Sequence, residues 1–76
     1  MTHFTIRLRS LSQVHDFVRR ADQCDFDVNI GYDRVTIDAK SLVGVMGLDL
    51  GRKLTVSFSG ENRQFEEYLS TIQIPA

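Results

Sequence analysis

The fold is decided by residues 27–38, which read Asp-Val-Asn-Ile-Gly-Tyr-Asp-Arg-Val-Thr-Ile-Asp. Apolar and polar side chains alternate on both sides of Asp33, which indicates two strands, 27–32 and 34–38, each with one buried face. The predicted inward-facing residues are Val28 and Ile30 on the first strand and Val35 and Ile37 on the second. Because the connection between the strands is so short, we predict a β-hairpin with a tight turn near Asp33.

Three helices are predicted around this hairpin. The first covers residues 11–23, where apolar side chains recur at helical spacing and Ser10 with Gln13 forms a capping box. Its predicted buried stripe consists of Leu11, Val14, Phe17, Val18 and Ala21. A short apolar helix, interrupted by glycines, follows Ser41, and a last helix starts at residues 59–61.

Two more alternating segments, residues 3–8 and 53–59, complete a set of four strands. The resulting order is β-α-β-β-α-β-α. Strands that each have one polar face indicate an antiparallel sheet covered on one side only. We therefore predict an α+β fold, an open-faced two-layer sandwich with helices on one face of a four-stranded antiparallel sheet, formed by residues 1–76 as a single domain.

The size of the chain favours binding over catalysis. A domain of 76 residues buries only about 60% of the surface that its unfolded chain exposes, so little of its core can be given up for a deep pocket. We predict that the protein is not an enzyme and needs no cofactor. The two histidines, His3 and His15, and the one cysteine, Cys24, have no metal-ligand spacing, so no metal is expected.

Charge and cysteine content indicate the class of partner and the cellular compartment. Residues 1–24 carry a basic excess and residues 25–51 an acidic excess, but the net charge is −1. A nucleic-acid binder would have a stronger basic excess, so the expected partners are proteins. Cys24 has no second cysteine to pair with, which favours a reducing cytoplasm. The longest uncharged apolar run, residues 42–48, is far shorter than the ~20 residues of a membrane span.

Residues 38–48 read Asp-Ala-Lys-Ser-Leu-Val-Gly-Val-Met-Gly-Leu and resemble the regulatory-serine segment of the HPr family. These are small phosphocarriers of the bacterial sugar phosphotransferase system. Residues 55–57, Thr-Val-Ser, and 59–61, Ser-Gly-Glu, fit the family's last strand and the turn after it. The resemblance covers essentially the whole chain, although the loop 49–53 is about two residues shorter than usual. It implies the same open-faced sandwich.

The family's phosphate-carrying loop reads Gly-x-His-x-Arg-Pro and falls on residues 8–13, which read Leu-Arg-Ser-Leu-Ser-Gln. Ser10 occupies the position of the family histidine, and Ser12 and Gln13 replace the arginine and the proline. Imidazole, with a pKa of about 6.5, can accept and release a phosphoryl group at neutral pH, whereas a serine forms a stable ester. The resemblance therefore implies a relative without a catalytic histidine.

The resemblance also points to Ser41 as a regulatory phosphorylation site. In family members from low-GC Gram-positive bacteria, this serine is phosphorylated by a dedicated serine kinase and presented to a catabolite-control regulator. A serine before a short helix is equally an ordinary N-cap, so both roles stay open. The implied docking patch comprises Leu42, Val43 and Met46, with Val45 and Leu48 inward. The basic residues that either surround it or are simply solvated are Arg7, Arg9, Arg19 and Arg20.

Three hypotheses follow. The first is a phosphotransfer-incompetent HPr-like protein that regulates or binds partners, under control of Ser41 and in the context of sugar transport and carbon catabolite regulation. The second is a working phosphocarrier that uses His15, five residues beyond Ser10. The third is an HPr-fold scaffold in an unrelated complex. The sequence does not indicate the oligomeric state.

Overall fold

The computed structural model describes residues 1–76 and confirms the predicted order of four strands and three helices. The elements are β1 (Thr2–Ile6), α1 (Leu11–Asp22), β2 (Val28–Tyr32), β3 (Val35–Asp38), α2 (Leu42–Met46), β4 (Leu54–Phe58) and α3 (Arg63–Ile72). The strands form one antiparallel sheet in the order β1-β4-β2-β3. The predicted α+β sandwich is therefore confirmed.

One cluster of 17 buried apolar residues fills the space between the sheet and the helices. Three phenylalanines join the layers: the Phe65 ring of α3 lies 6.2 Å from Phe17 of α1 and 5.6 Å from Phe58 of β4, measured between ring centroids. No polar or charged residue is buried. The core is thus entirely apolar, as is typical of a small domain that is stabilised by hydrophobic burial.

The helices are ordered across the sheet. α2 contacts α1 and β3, while α3 contacts β1 and packs its Phe65 against α1. α1 therefore lies between α2 and α3. The C-terminal segment runs along β1, where the Ile74 N–H donates to the Thr5 carbonyl at 2.8 Å. One edge of the sheet is partly covered in this way, and β3 forms the other edge.

Two residues that were expected in the core are exposed. Leu11 is 59% exposed, because the first residue of α1 lies outside the part of the helix that the core covers. Val14, one turn later, is fully buried. Val35 is 42% exposed, because β3 is an edge strand with a neighbour on one side only. In both cases the periodicity is right, but the helix or strand extends past the layer that would cover it.

The start of α3 and the capping of α1 differ from the prediction, although α1 begins at Leu11 as expected. α3 begins after Asn62, whose Oδ1 accepts a hydrogen bond from the Phe65 N–H at 3.0 Å, and not at residues 59–61. Gly60 has φ of +156°, and a Cβ there would lie 2.4 Å from the Phe26 ring, so this residue belongs to a turn. At α1 the capping box is shifted: the Gln13 side chain accepts from the Arg9 N–H at 2.6 Å and not from residue 10.

Candidate functional site

Ser10 is the N-cap of α1 and is exposed. Its extended backbone (φ −150°, ψ 161°) turns the side chain back toward the helix, and Oγ accepts from the Gln13 N–H at 3.2 Å. The Ser10 carbonyl accepts from the Val14 N–H at 3.1 Å. The hydroxyl therefore satisfies a helix N–H group that would otherwise lack a partner, as polar N-caps do. No side-chain base is hydrogen-bonded to it.

Ser41 has the same role at the start of α2. Its Oγ accepts from the Gly44 N–H at 3.1 Å, and its carbonyl accepts from the Val45 N–H at 2.9 Å. A Cβ at residue 44 would lie 3.2 Å from this Oγ, so glycine leaves room for the cap. Ser41 is exposed. The hydroxyl is accessible to a modifying enzyme, but it too lacks the adjacent base that would activate a nucleophile.

Lys40, next to Ser41, is tied to the end of α1. Its Nζ donates to the Cys24 carbonyl at 2.8 Å, and its N–H donates to Asp38 Oδ1 at 2.9 Å. These two bonds hold the residue that precedes the α2 cap through both its side chain and its backbone. The ammonium group is thus engaged with the backbone and does not contact the serine hydroxyl.

α2 divides into a buried and an exposed side. Val45, and Leu48 just beyond the helix, are buried. Val43 is 83% exposed and Met46 is 46% exposed, while Leu42 is half-buried. We call Leu42, Val43 and Met46 the α2 surface. Several exposed apolar side chains on one short helix are typical of a protein-binding surface.

Leu11 and His15 lie on the side of α1 opposite Arg20, which contacts α3. They are one helical turn apart, four residues, and therefore share a face. Both are exposed. The exposed leucine places an apolar side chain at the start of α1, a feature that the sequence analysis missed by assigning Leu11 to the core. Its position directly after the N-cap is the signal that indicates exposure.

Arg19 and Arg20 are engaged away from the α2 surface. Both donate to Asp16, and the Arg20 guanidinium lies over the Tyr68 ring of α3, 4.4 Å from its centroid. The hydrogen bond from Arg19 holds the pKa of Asp16 below its ordinary value. Burial, followed by the charge of Asp16, raises the pKa of Tyr68 to about 12.

Since α1 separates α2 from α3, Arg20 is on the wrong side of the helix to surround the α2 surface. Arg20 thus lies away from the α2 surface, and a role of the arginines in partner binding stays a prediction. Arg19 is exposed on the outer face of α1. Arg9 is exposed beside Ser10, and it is the arginine nearest along the chain to the start of α1.

A shallow depression of about 290 Å³ lies beside Ser10, and its lining residues are Leu8, Arg9, Ser10, Leu11, Leu50 and Gly51. The loop that forms its far wall is anchored twice. The Gly51 N–H donates to the Leu8 carbonyl at 3.2 Å. Arg52 pairs with Asp33 at 3.0 Å and lies over the Tyr32 ring, 4.1 Å from its centroid. Local sequence patterns do not indicate the Arg52 contacts, because they join residues about 20 positions apart in the chain.

The remaining chemistry-bearing residues do not assemble into a site. No three His, Cys, Asp or Glu side chains are grouped as metal ligands. Cys24 is buried at the end of α1, and burial raises the pKa of its thiol. The Asn62 amide donates to its sulfur at 3.6 Å. No helix has the length and apolar character that a bilayer crossing requires.

Comparisons with known proteins agree with this arrangement. A family model described as the PTS HPr component phosphorylation site matches residues 12–74. HPr-C-His from Thermoanaerobacter tengcongensis superposes with a TM-score of 0.77 at 22% identity, over 93% of this chain and 89% of that one. The phosphocarrier protein HPr from Bacillus anthracis superposes with a TM-score of 0.74 at 23% identity, over 95% and 96% of the two chains. These likenesses to solved structures show a common fold.

Proposed function

This chain belongs to the HPr phosphocarrier family of the phosphotransferase system, and from that premise we propose that it is a regulatory or partner-binding member that carries no phosphate on histidine. The observation that carries the proposal is Ser10, which caps α1 with its hydroxyl at the position that the resemblance gives to the phosphorylated histidine. A serine ester does not transfer its phosphoryl group readily, whereas a phosphoimidazole does.

His15 is a poor substitute for the missing histidine. It lies four residues beyond Leu11, the first residue of α1, which is about 6 Å along the helix axis. The free N–H groups that stabilise an anion belong to the first turn. A phosphate on His15 would therefore lack the helix N-terminus that favours negative charge.

The α2 surface supports a binding role. Val43 and Met46 expose apolar area that the fold itself does not use, and methionine adapts well to partner surfaces. Proteins of the phosphotransferase system are the partners of this family. We propose that a partner protein covers the α2 surface together with Leu11, and that Arg9 contacts an acidic group at its border.

We also propose that Ser41 is phosphorylated by a serine kinase, which controls this binding, and that the phosphorylated form is read by a catabolite-control regulator. The support is that Ser41 is exposed and stands at a helix N-terminus next to the α2 surface. A phosphate adds a charge of about −1.5 to −2, which is tolerated at that end of a helix but changes the surface offered to partners. The proposal places the protein in the cytoplasm, where such a kinase acts and Cys24 stays reduced.

The first experiment tests phosphate transfer. The purified protein is incubated with phosphoenolpyruvate and the first enzyme of the system, with a histidine-containing HPr as the positive control, and its intact mass is measured. We expect no added phosphate. An acid-labile phosphate that disappears in His15→Ala, but persists in His3→Ala, would contradict the proposal and establish the phosphocarrier hypothesis.

The second experiment tests regulation. The protein is incubated with ATP and the family's serine kinase, and the modified residue is located by mass spectrometry. We expect one phosphate, lost in Ser41→Ala and retained in the matched exposed variant Ser12→Ala. An unmodified Ser41 would remove the regulatory part of the proposal while leaving partner binding to be tested by capture on the purified protein. Partners from outside the phosphotransferase system would favour the scaffold hypothesis.

A further inference from the structure

The outer edge of β3 presents the backbone N–H and C=O of Thr36, whereas the Asp38 carbonyl already accepts from the Ser41 N–H at 3.0 Å. Tyr32 and Val35 flank a two-residue turn and form a pair in the register of β2 and β3, so they are hydrogen-bonded to each other. Hydrogen-bonded and non-hydrogen-bonded pairs alternate along an antiparallel ladder. The residue after Val35, Thr36, therefore directs its N–H and C=O away from β2. The bond from the Ala39 N–H to the Val28 carbonyl, at 2.8 Å, agrees with this alternation, because Ala39 lies an even number of residues beyond Val35. Because β3 is the last strand of the sheet, these groups face outward.

The sequence of this edge is complementary to itself. Residues 34–38 read Arg-Val-Thr-Ile-Asp. When a second copy runs antiparallel beside the first with Thr36 opposite Thr36, Val35 faces Ile37, and Arg34, the second residue of the turn that leads into β3, comes next to Asp38. A two-fold axis through the Thr36 pair repeats each contact. The paired threonines then exchange two backbone hydrogen bonds.

The side chains match as well as the backbone does. Arg34 and Asp38 are exposed, and Arg34 belongs to none of the four ion pairs of the structure. Asp38 uses one carboxylate oxygen for the Lys40 N–H and keeps the other free. On the helix side of the sheet, the 42% exposure of Val35 is the area that a facing isoleucine would cover. Opposite charges and apolar pairs across strands both stabilise a sheet.

We propose that two copies of this chain associate through β3, so that their four-stranded sheets join into one continuous antiparallel sheet. The charge complementarity selects a second copy over an unrelated strand, since an arbitrary partner would not place an acid opposite Arg34 and a base opposite Asp38. A strand of four residues buries less than the ~1,200 Å² at which stable interfaces begin. The dimer is therefore weak and forms at high protein concentration.

The association is measured by sedimentation equilibrium from about 10 μM to about 1 mM, the range suited to a small interface. We expect a reversible monomer–dimer equilibrium. Thr36→Pro removes an N–H group that bonds to nothing within the monomer, and proline is tolerated at such edge positions, so this variant should fold and stay monomeric. Val43→Glu, on the exposed α2 surface, is the matched control and should dimerise like the wild type.

A charge exchange tests the register. Arg34→Asp places two carboxylates opposite each other twice, and Asp38→Arg does the same with two guanidinium groups. Each variant alone should bind itself roughly tenfold to thirtyfold more weakly than the wild type does. An equimolar mixture restores both pairs in the heterodimer, so the two variants should associate with each other. Circular dichroism checks that each variant is folded.

Three results would overturn the proposal. If the wild-type chain is monomeric at all concentrations, β3 does not mediate self-association, and its open edge is available only to a strand of another protein. Association that persists in Thr36→Pro, or that Val43→Glu abolishes, takes place through a different surface. Charge variants that do not associate when mixed refute the antiparallel register.

Discussion

The Ser41 cap allows the structural and regulatory roles of this residue to be separated. Ser41→Ala removes the acceptor of the Gly44 N–H, a bond of 3.1 Å. α2 has only five residues, Leu42–Met46, so this bond is a large share of what holds it. Loss of a serine N-cap costs about 1 kcal/mol, which lowers the melting temperature of a domain of this size by about 4–8 °C.

Ser41→Asp should behave differently, because aspartate is an equally good N-cap and its charge is favoured at a helix N-terminus. We expect its free energy of unfolding to lie within about 0.5 kcal/mol of the wild-type value. Urea unfolding followed by circular dichroism measures both variants, with Ser12→Ala as the control. If Ser41→Ala is as stable as the wild type, the cap contributes nothing. If Ser41→Asp is the less stable variant, negative charge is not tolerated at this site.

The other predictions concern packing, backbone and pH. Leu11→Asn should change the free energy of unfolding by less than about 0.5 kcal/mol, because the side chain is mostly exposed; urea unfolding checks this. Gly31→Ala should prevent folding or lower the melting temperature sharply, because its Cβ would lie 1.8 Å from the Val35 carbonyl oxygen; the circular dichroism spectrum is the measurement. Asp16→Asn removes a carboxyl whose pKa is lowered by its hydrogen bond from Arg19. The stability from that pair is present above the unfolded pKa and is lost as pH falls through the lower folded pKa. Wild type and variant should thus differ by at most about 1 kcal/mol at neutral pH, and the difference should begin to shrink only below about pH 4, as measured by urea unfolding at each pH.

The types and order of the elements were predictable because they depend on local patterns. Alternation in residues 27–32 and 53–59 and helical spacing in residues 11–23 each reflect one buried face, which neighbouring residues along the chain define. The division of α2 into a buried Val45 and an exposed Val43 also agrees with what the resemblance implied. Helix starts were less predictable, since Ser10 was identified correctly as a cap while residues 59–61 were taken for the start of a helix that begins after Asn62.

Other features of the site depend on which elements become neighbours. Leu11 fits the buried stripe of α1, yet it is exposed because no other layer reaches it. Arg20 lies on the side of α1 away from the α2 surface, where it contacts Tyr68 of α3. The anchor of Arg52 on Tyr32 joins a loop to a hairpin.

Local side-chain pattern thus determines which residues form a strand or a helix and which side of it is apolar. Tertiary structure decides which apolar side is covered and where the covering stops. The strand order β1-β4-β2-β3 leaves β3 at an edge, and no alternation within residues 35–38 encodes that position. Burial is a property of contacts between distant parts of the chain, so both the exposed α2 surface and the open edge of β3 emerge only when the elements are packed together.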